Sequence, residues 1–119
     1  MAMTEVKNTE LLRNEAKEIE SAVSVDASAG ASVDYENKSD GRILLMITNG
    51  NASATKKATI LKGNALQGTE DFEISIPAGK TYGIVVESGK FGNVYGENKG
   101  KVIIKGESTD IKVQAVELP

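Results

Sequence analysis

Hydrophobic residues beyond about residue 40 recur at the spacing of β-strands. The clearest alternation is Asp71–Ile76, where Phe72, Ile74 and Ile76 fall on one face, as a half-buried strand requires. Ile43–Ile47 is continuously apolar, which predicts a central strand covered on both faces. Further strands are predicted at Ser32–Tyr35, Thr55–Leu61, Thr81–Val86, Lys101–Lys105 and Ile111–Leu118. This spacing predicts an all-β fold, a small antiparallel β-sandwich or barrel of six to eight short strands.

Glycine and proline mark the connections between these strands. Ile76-Pro77-Ala78-Gly79 has proline second and glycine fourth, as in a type I turn, and predicts that Asp71–Ile76 and Thr81–Val86 form an antiparallel pair. Ser88–Gly100 is the longest connection and holds four glycines. Loops of this length are uncommon in compact domains and are often functional. Residues 49–55 and 63–70 are the other loops able to carry recognition.

The first 40 residues have a different composition, rich in Glu, Lys, Asn, Ser and Ala. Leu12, Ala16, Ile19 and Val23 recur at helical spacing, which allows a short amphipathic helix. The alternative is an extended arm with an isolated strand near residues 22–25, and the sequence leaves both open. We divide the chain into an N-terminal arm, residues 1–25, and a β-sandwich or barrel domain, residues 26–119.

Composition excludes several classes of function. The 119 residues include no histidine and no cysteine, so the chain has no Ser-His or Cys-His nucleophile pair, no zinc site of the usual ligands and no disulfide. A net charge of -3 argues against a nucleic-acid partner. No stretch approaches the roughly 20 apolar residues of a membrane span, and the N-terminus lacks the apolar segment of a signal peptide. Aromatic residues make up only 4%, so we expect a core of Ile, Val, Leu and Ala.

Two segments resemble chemical motifs without meeting their requirements. Gly96–Lys101 is one residue shorter than a phosphate-binding loop and precedes a predicted strand instead of a helix. Glu70, Asp71 and Glu73 cluster in sequence, but no calcium-loop pattern surrounds them, and a solvated strand face explains them. We therefore predict no catalytic, cofactor-binding or metal-binding residues, and a protein that is not an enzyme.

Five apolar residues are the candidate contacts with another subunit or surface. Leu11, Leu12 and Ile19 lie in the arm, and Phe91 and Tyr95 lie in the long loop. Phe91 is predicted first as a plug at one end of the sandwich, and Tyr95 as the more exposed contact.

Parts of the chain are similar to a known family of viral proteins. The segments that carry the similarity are Lys57–Gly68, Ile74–Thr81, Glu87–Phe91, Asn98–Val102 and Ile111–Pro119. Together they resemble small head proteins of tailed bacteriophages, the decoration or cement proteins encoded beside the major capsid protein. The similarity covers roughly residues 41–119, and its motifs are mostly turns and strand ends.

The resemblance implies a structural protein on the outer capsid surface of the virion, made in the host cytoplasm. It implies the major capsid protein as partner and a homo-oligomer on the particle, a trimer being favoured over a monomer, with no cofactor, nucleic acid or membrane. A weakly structured arm would order on docking and wrap neighbouring subunits. The alternatives are a carbohydrate- or ligand-binding module that stacks sugars on Tyr82 and Tyr95, and a neck or tail component of a phage.

Overall fold

Ten strands form two sheets in the computed structural model, which describes residues 2–119. The strands are β1 Thr4–Glu5, β2 Asn8–Glu10, β3 Val23–Ser24, β4 Ala31–Asp34, β5 Ile43–Asn49, β6 Lys56–Ile60, β7 Phe72–Ile76, β8 Thr81–Ile84, β9 Lys101–Gly106 and β10 Ile111–Glu117. A 3-10 turn, Asp40–Arg42, precedes β5, and one turn of α-helix, α1, spans Ser88–Phe91.

The first sheet has the order β1-β4-β9-β6-β7, and the second has the order β2-β10-β5-β8, with β3 also paired to β10. Most neighbours are antiparallel, whereas β1 and β2 run parallel to β4 and β10. The predicted all-β, sandwich-like fold is confirmed, with more strands than the sequence pattern indicated.

The core between the sheets is aliphatic, as the composition predicts. Every second residue along β5 and β10 is buried against the first sheet, including Leu45, Ile47 and Val113. Tyr35 is the one aromatic residue in the buried core cluster of the described residues. The prediction that Ile43–Ile47 is covered on both faces is wrong. Leu44 and Met46 are only half-buried, because they face away from the first sheet.

The predicted hairpin between β7 and β8 is also wrong. β7 pairs with β6 in the first sheet and β8 pairs with β5 in the second, so the turn between them carries the chain from one sheet to the other. Asn49, at the end of β5, fixes this crossing. Its side-chain amide donates to the Ile76 carbonyl at 2.8 Å, and its backbone exchanges hydrogen bonds of 3.0 Å with Gly79 and Lys80.

The turn itself starts one residue later than predicted. The Lys80 amide donates to the Pro77 carbonyl at 3.1 Å, which makes Gly79 the third residue of the turn. Gly79 has a φ of 72°, the positive value that a type II turn requires at this position. Local sequence specified a turn here, but not whether it would join strands within one sheet or between two.

The N-terminal arm is extended, and its helical alternative is wrong. β1 joins the first sheet and β2 joins the second, and Val6 between them is buried. Residues 11–22, which we call the strap, contain no regular element, and residues 12–21 are exposed. The strand predicted near residues 22–25 is β3. The amphipathic helix that the spacing allows does not form, because the apolar residues of the strap have no neighbouring face on which a helix could pack.

Candidate functional site

The two ends of the sandwich differ in the length of their connections. Short turns close one end, at residues 26–30, 50–55, 77–80 and 107–110. The other end, which we call the loop end, carries the long connections 35–42, 61–71 and 85–100 together with the C-terminal residues 118–119. Such loops at one end of a rigid scaffold are where sandwich proteins commonly carry recognition.

Asn64 joins two of the loops at this end. Its side-chain amide donates to the Tyr95 carbonyl at 2.9 Å, and its side-chain oxygen accepts from the Val94 amide at 2.7 Å. One residue earlier, the Gly63 amide donates to the Lys90 carbonyl at 2.9 Å. A Cβ at Gly63 would overlap the Gly92 carbonyl oxygen, so only glycine allows this close approach. Loops 61–71 and 85–100 therefore form one connected surface.

Asp40 joins the third loop to the same surface. Its carboxylate accepts hydrogen bonds from the Ser88 amide at 2.8 Å and the Ser88 hydroxyl at 3.0 Å. The Tyr35 amide donates to the Gly100 carbonyl at 2.8 Å. Burial, together with the neighbouring Asp40 carboxylate, raises the pKa of Tyr35 above its ordinary value, so the phenol stays neutral.

Glu117 anchors the chain ends beside loop 35–42. Its carboxylate accepts from the Asn8 side chain at 2.9 Å and lies 3.4 Å from the Lys38 ammonium. The Leu118 amide donates to the Arg42 carbonyl at 2.6 Å. A groove of about 420 Å³ opens here, and Leu11 and Leu12 line one side of it.

Exposed apolar side chains concentrate at the loop end. Among the described residues, the exposed large hydrophobic side chains are Leu12, Ile19, Leu66, Phe72, Tyr82, Val85, Val94, Tyr95 and Leu118. Six of them lie in the long loops, at the C-terminus or at a strand end that meets a long loop. Leu12 lies at the start of the strap, beside the groove, and none of the nine lies in the short turns. Leu66 is 99% exposed and Tyr95 is 64% exposed. Isolated exposed apolar residues are ordinary, but their gathering at one end is the usual sign of an interaction surface.

The structure places the five predicted contact residues in four different environments. Tyr95 is exposed on the surface that Asn64 organises. Leu11 is half-buried in the groove beside the C-terminus, and Leu12 is exposed at its rim. Ile19 is exposed on the strap and does not line the groove. Phe91 packs against the core and against Phe72, with ring centroids 6.3 Å apart, as its interpretation as a plug predicts.

Sequence reasoning missed the residues that organise this end. Asn64, Asp40 and Glu117 each join segments distant in sequence, and no local pattern marks them. It also missed Leu66, although it identified the loop that contains it. The turn in which the Gly68 amide donates to the Ala65 carbonyl holds Leu66 outward, and that outcome depends on the folded backbone.

Two of the three clustered carboxylates, Asp71 and Glu73, have structural partners. Asp71 accepts from the Lys62 amide at 2.8 Å, and Glu73 lies 3.9 Å from the Lys57 ammonium on an exposed strand face. Within residues 2–119, no group of three or more His, Cys, Asp or Glu side chains is placed to hold a metal ion. No helix in this part of the chain is long and apolar enough to cross a membrane.

Comparisons of the chain with protein-family models, with curated proteins and with solved structures gave no significant match.

Proposed function

We propose that this chain is a structural virion protein, a decoration or cement subunit that binds the outside of a tailed-phage capsid and stabilises its lattice without catalysis. The resemblance over residues 41–119 suggests the class of protein. The observation that carries the proposal is the loop end, where exposed apolar side chains stand on loops joined by Asn64 and Asp40. The partner proposed for this surface is the major capsid protein at the outer face of the virion.

The physical properties of the loop end suit this role. Because hydrogen bonds hold loops 61–71 and 85–100 together before docking, little ordering entropy is lost on binding. Leu66 and Tyr95 then provide apolar area that becomes buried against the capsid. A lattice repeats its site many times, so a modest contact made at each site reinforces the whole particle.

Co-sedimentation of the purified protein with mature capsids of the virus that encodes it tests the proposal. We expect saturation at a fixed ratio to the major capsid protein, and this ratio separates the trimer that the resemblance favours from a single copy. The double variant Leu66→Asp, Tyr95→Asp should bind at least about tenfold more weakly, because charges replace the two most exposed apolar side chains of the surface.

A matched control places the same two charges at the opposite end of the sandwich. Ala27→Asp and Ala52→Asp alter exposed residues in the short turns, and this double variant should bind as the parent does. Equal binding by both double variants would show that the docking surface does not lie at the loop end. No binding of the folded parent to capsids would overturn the proposal.

The same preparation separates the alternative functions. Sedimentation with isolated tails or neck rings instead of heads would indicate a tail component. A change in tyrosine fluorescence with oligosaccharides, without affinity for capsids, would indicate a carbohydrate-binding module that uses Tyr82 or Tyr95.

A further inference from the structure

Strand β8 is an open sheet edge without the usual protection. It ends the second sheet and, among the described residues, pairs only with β5. β8 pairs with β5 in a regular register over its four residues, Thr81–Ile84, without a bulge. Neither β8 nor the two residues after it, Val85 and Val86, include a charged residue or a proline. Charges, prolines and bulges are the features by which proteins prevent edge strands from pairing with other chains. β8 is therefore available to pair with another strand.

The other sheet edges are protected or short. β7, the edge of the first sheet beside β8, carries Glu73 and follows the acidic pair Glu70-Asp71. β1 has only two residues. Beside β2, the Glu20 amide of the strap donates to the Thr9 hydroxyl at 2.8 Å. The contrast singles out β8.

Apolar side chains accompany the open edge. Tyr82 is 42% exposed and Val85 is 55% exposed. A groove of about 240 Å³ beside the strand is lined by Phe72, Ile84, Val85, Val86, Glu87, Lys90 and Phe91. A second strand along β8 would satisfy its free backbone groups and cover part of this apolar surface.

The charges at the two ends of the segment indicate which strand fits. Lys80 precedes the uncharged segment and Glu87 follows it. When two copies of such a segment pair in antiparallel orientation, the cationic end of each lies beside the anionic end of the other, and both ends become complementary. A closed two-fold contact of this kind uses the same patch on both subunits.

We propose that two copies of this chain associate through β8, antiparallel about a two-fold axis near Gly83 and Ile84, so that their second sheets form one continuous sheet. This contact goes beyond the proposed function, because it concerns the free protein and uses a sheet edge instead of the loop end. It also differs from the trimer that the resemblance implies, so the mass in solution separates the two arrangements.

Sedimentation equilibrium of the full chain tests the proposal. We expect a mass of twice 12.6 kDa at micromolar concentration and above. Val85→Lys places a charge on the exposed edge and should shift the mass to that of one chain, with the far-ultraviolet circular dichroism of the parent. Leu66→Lys, an equally apolar-to-charged change at the loop end, should leave the dimer intact.

Three results would overturn the proposal: a single-chain mass for the parent up to millimolar concentration, a trimeric mass, or a Val85→Lys variant that dimerises as the parent does. None of these results depends on capsid binding, so the dimer can fail while the decoration function stands.

Charge reversal tests the antiparallel orientation. Lys80→Glu and Glu87→Lys should each weaken dimerisation several-fold at low salt, because each places like charges together at both ends of the contact. The double reversal should restore the parent dissociation constant. Glu87 also lies 3.7 Å from Lys90 in an exposed ion pair, so Lys90→Ala serves as the control for loss of that pair. A double variant weaker than either single variant would contradict the orientation.

Discussion

Asn49 connects the two sheets through one fully buried side chain. Its amide nitrogen donates to the carbonyls of Ile76 and Ala54, at 2.8 and 2.9 Å, and its oxygen accepts from the Asn51 amide at 2.9 Å. All of the hydrogen-bonding groups of this side chain are thereby used within the protein. The residue holds together the end of β5, the loop that follows it and the crossing from β7 to β8.

Replacing Asn49 with alanine should lower the free energy of unfolding by about 3 kcal/mol, because one buried and two part-buried hydrogen bonds lose their partner. Asn51→Ala is the matched comparison. Asn51 is only half-buried. Its side chain accepts from the exposed amides of Ser53 and Ala54 and donates to the Asp110 carboxylate at 3.1 Å, so its loss should cost about 1–2 kcal/mol. Urea unfolding followed by circular dichroism measures both values. Equal losses would show that burial of the Asn49 network adds nothing.

At the scale of elements, the N-terminal arm contains two parts with different roles. β1 and β2 are hydrogen-bonded into the two sheets, and Val6 and Thr9 are buried there. The strap that follows has few attachments, among them the hydrogen bonds of Glu20 with Thr9 and Gln114. Ordering on docking is therefore a property to expect of the strap, and the residues before it belong to the folded sheets.

Deleting residues 2–10 should lower the free energy of unfolding by at least about 2 kcal/mol, since it removes two strands and the buried Val6 side chain. Replacing residues 12–18 with a glycine-serine segment of equal length should change it by less than about 1 kcal/mol, because those side chains are exposed. Urea denaturation of both variants checks the expectation.

The strap replacement also tests the arm in capsid binding without disturbing the fold. Weaker co-sedimentation would place a capsid contact in this segment, with Leu12 as the apolar candidate. A strap variant that unfolds as readily as the deletion would contradict the division of the arm into two parts.

At the scale of the whole molecule, local patterns predicted the strands but not their partners. The alternation in Asp71–Ile76 requires only that one face of the strand is exposed to solvent, whichever strand lies beside it. β7 therefore lies where it was predicted. The turn after it satisfies the same local rules in a hairpin and in a sheet crossing. Asn49, which lies 27 positions from Ile76 in the sequence, decides between them. Long-range hydrogen bonding of this kind leaves no periodic signal.

The candidate surface was predictable to a similar extent. Tyr95 was identified as the more exposed residue of the long, glycine-rich loop, and Leu12 as an apolar residue of the polar N-terminal arm. Phe91 was grouped with them as a candidate contact but interpreted first as a plug, and in the fold it packs against the core and against Phe72. That the long connections share one end follows from strand directions, which the sequence pattern does not contain.

The charge chemistry of the molecule predicts how its stability depends on pH. Asp26 accepts hydrogen bonds from the Ala29 and Ser28 amides, and these lower the pKa of its carboxyl below the ordinary 3.8. Hydrogen bonds from Asn51 and Ser108 likewise lower the pKa of Asp110. A carboxyl with a lowered pKa in the folded state stabilises the protein above its unfolded pKa. That stabilisation is lost as the pH falls through the folded value.

We therefore expect the thermal midpoint to be constant between about pH 6 and 8, where a chain without histidine has no titrating side chain of ordinary pKa. At pH values below about 4, the thermal midpoint should decrease. Asp26→Asn with Asp110→Asn should lower the midpoint at pH 7 and flatten the fall in acid, because the amides keep an acceptor oxygen but carry no charge. Glu70→Gln with Glu97→Gln removes two exposed charges as the control. If the control flattens the acid limb as much as the aspartate pair does, general charge repulsion governs acid unfolding and the two turn aspartates do not.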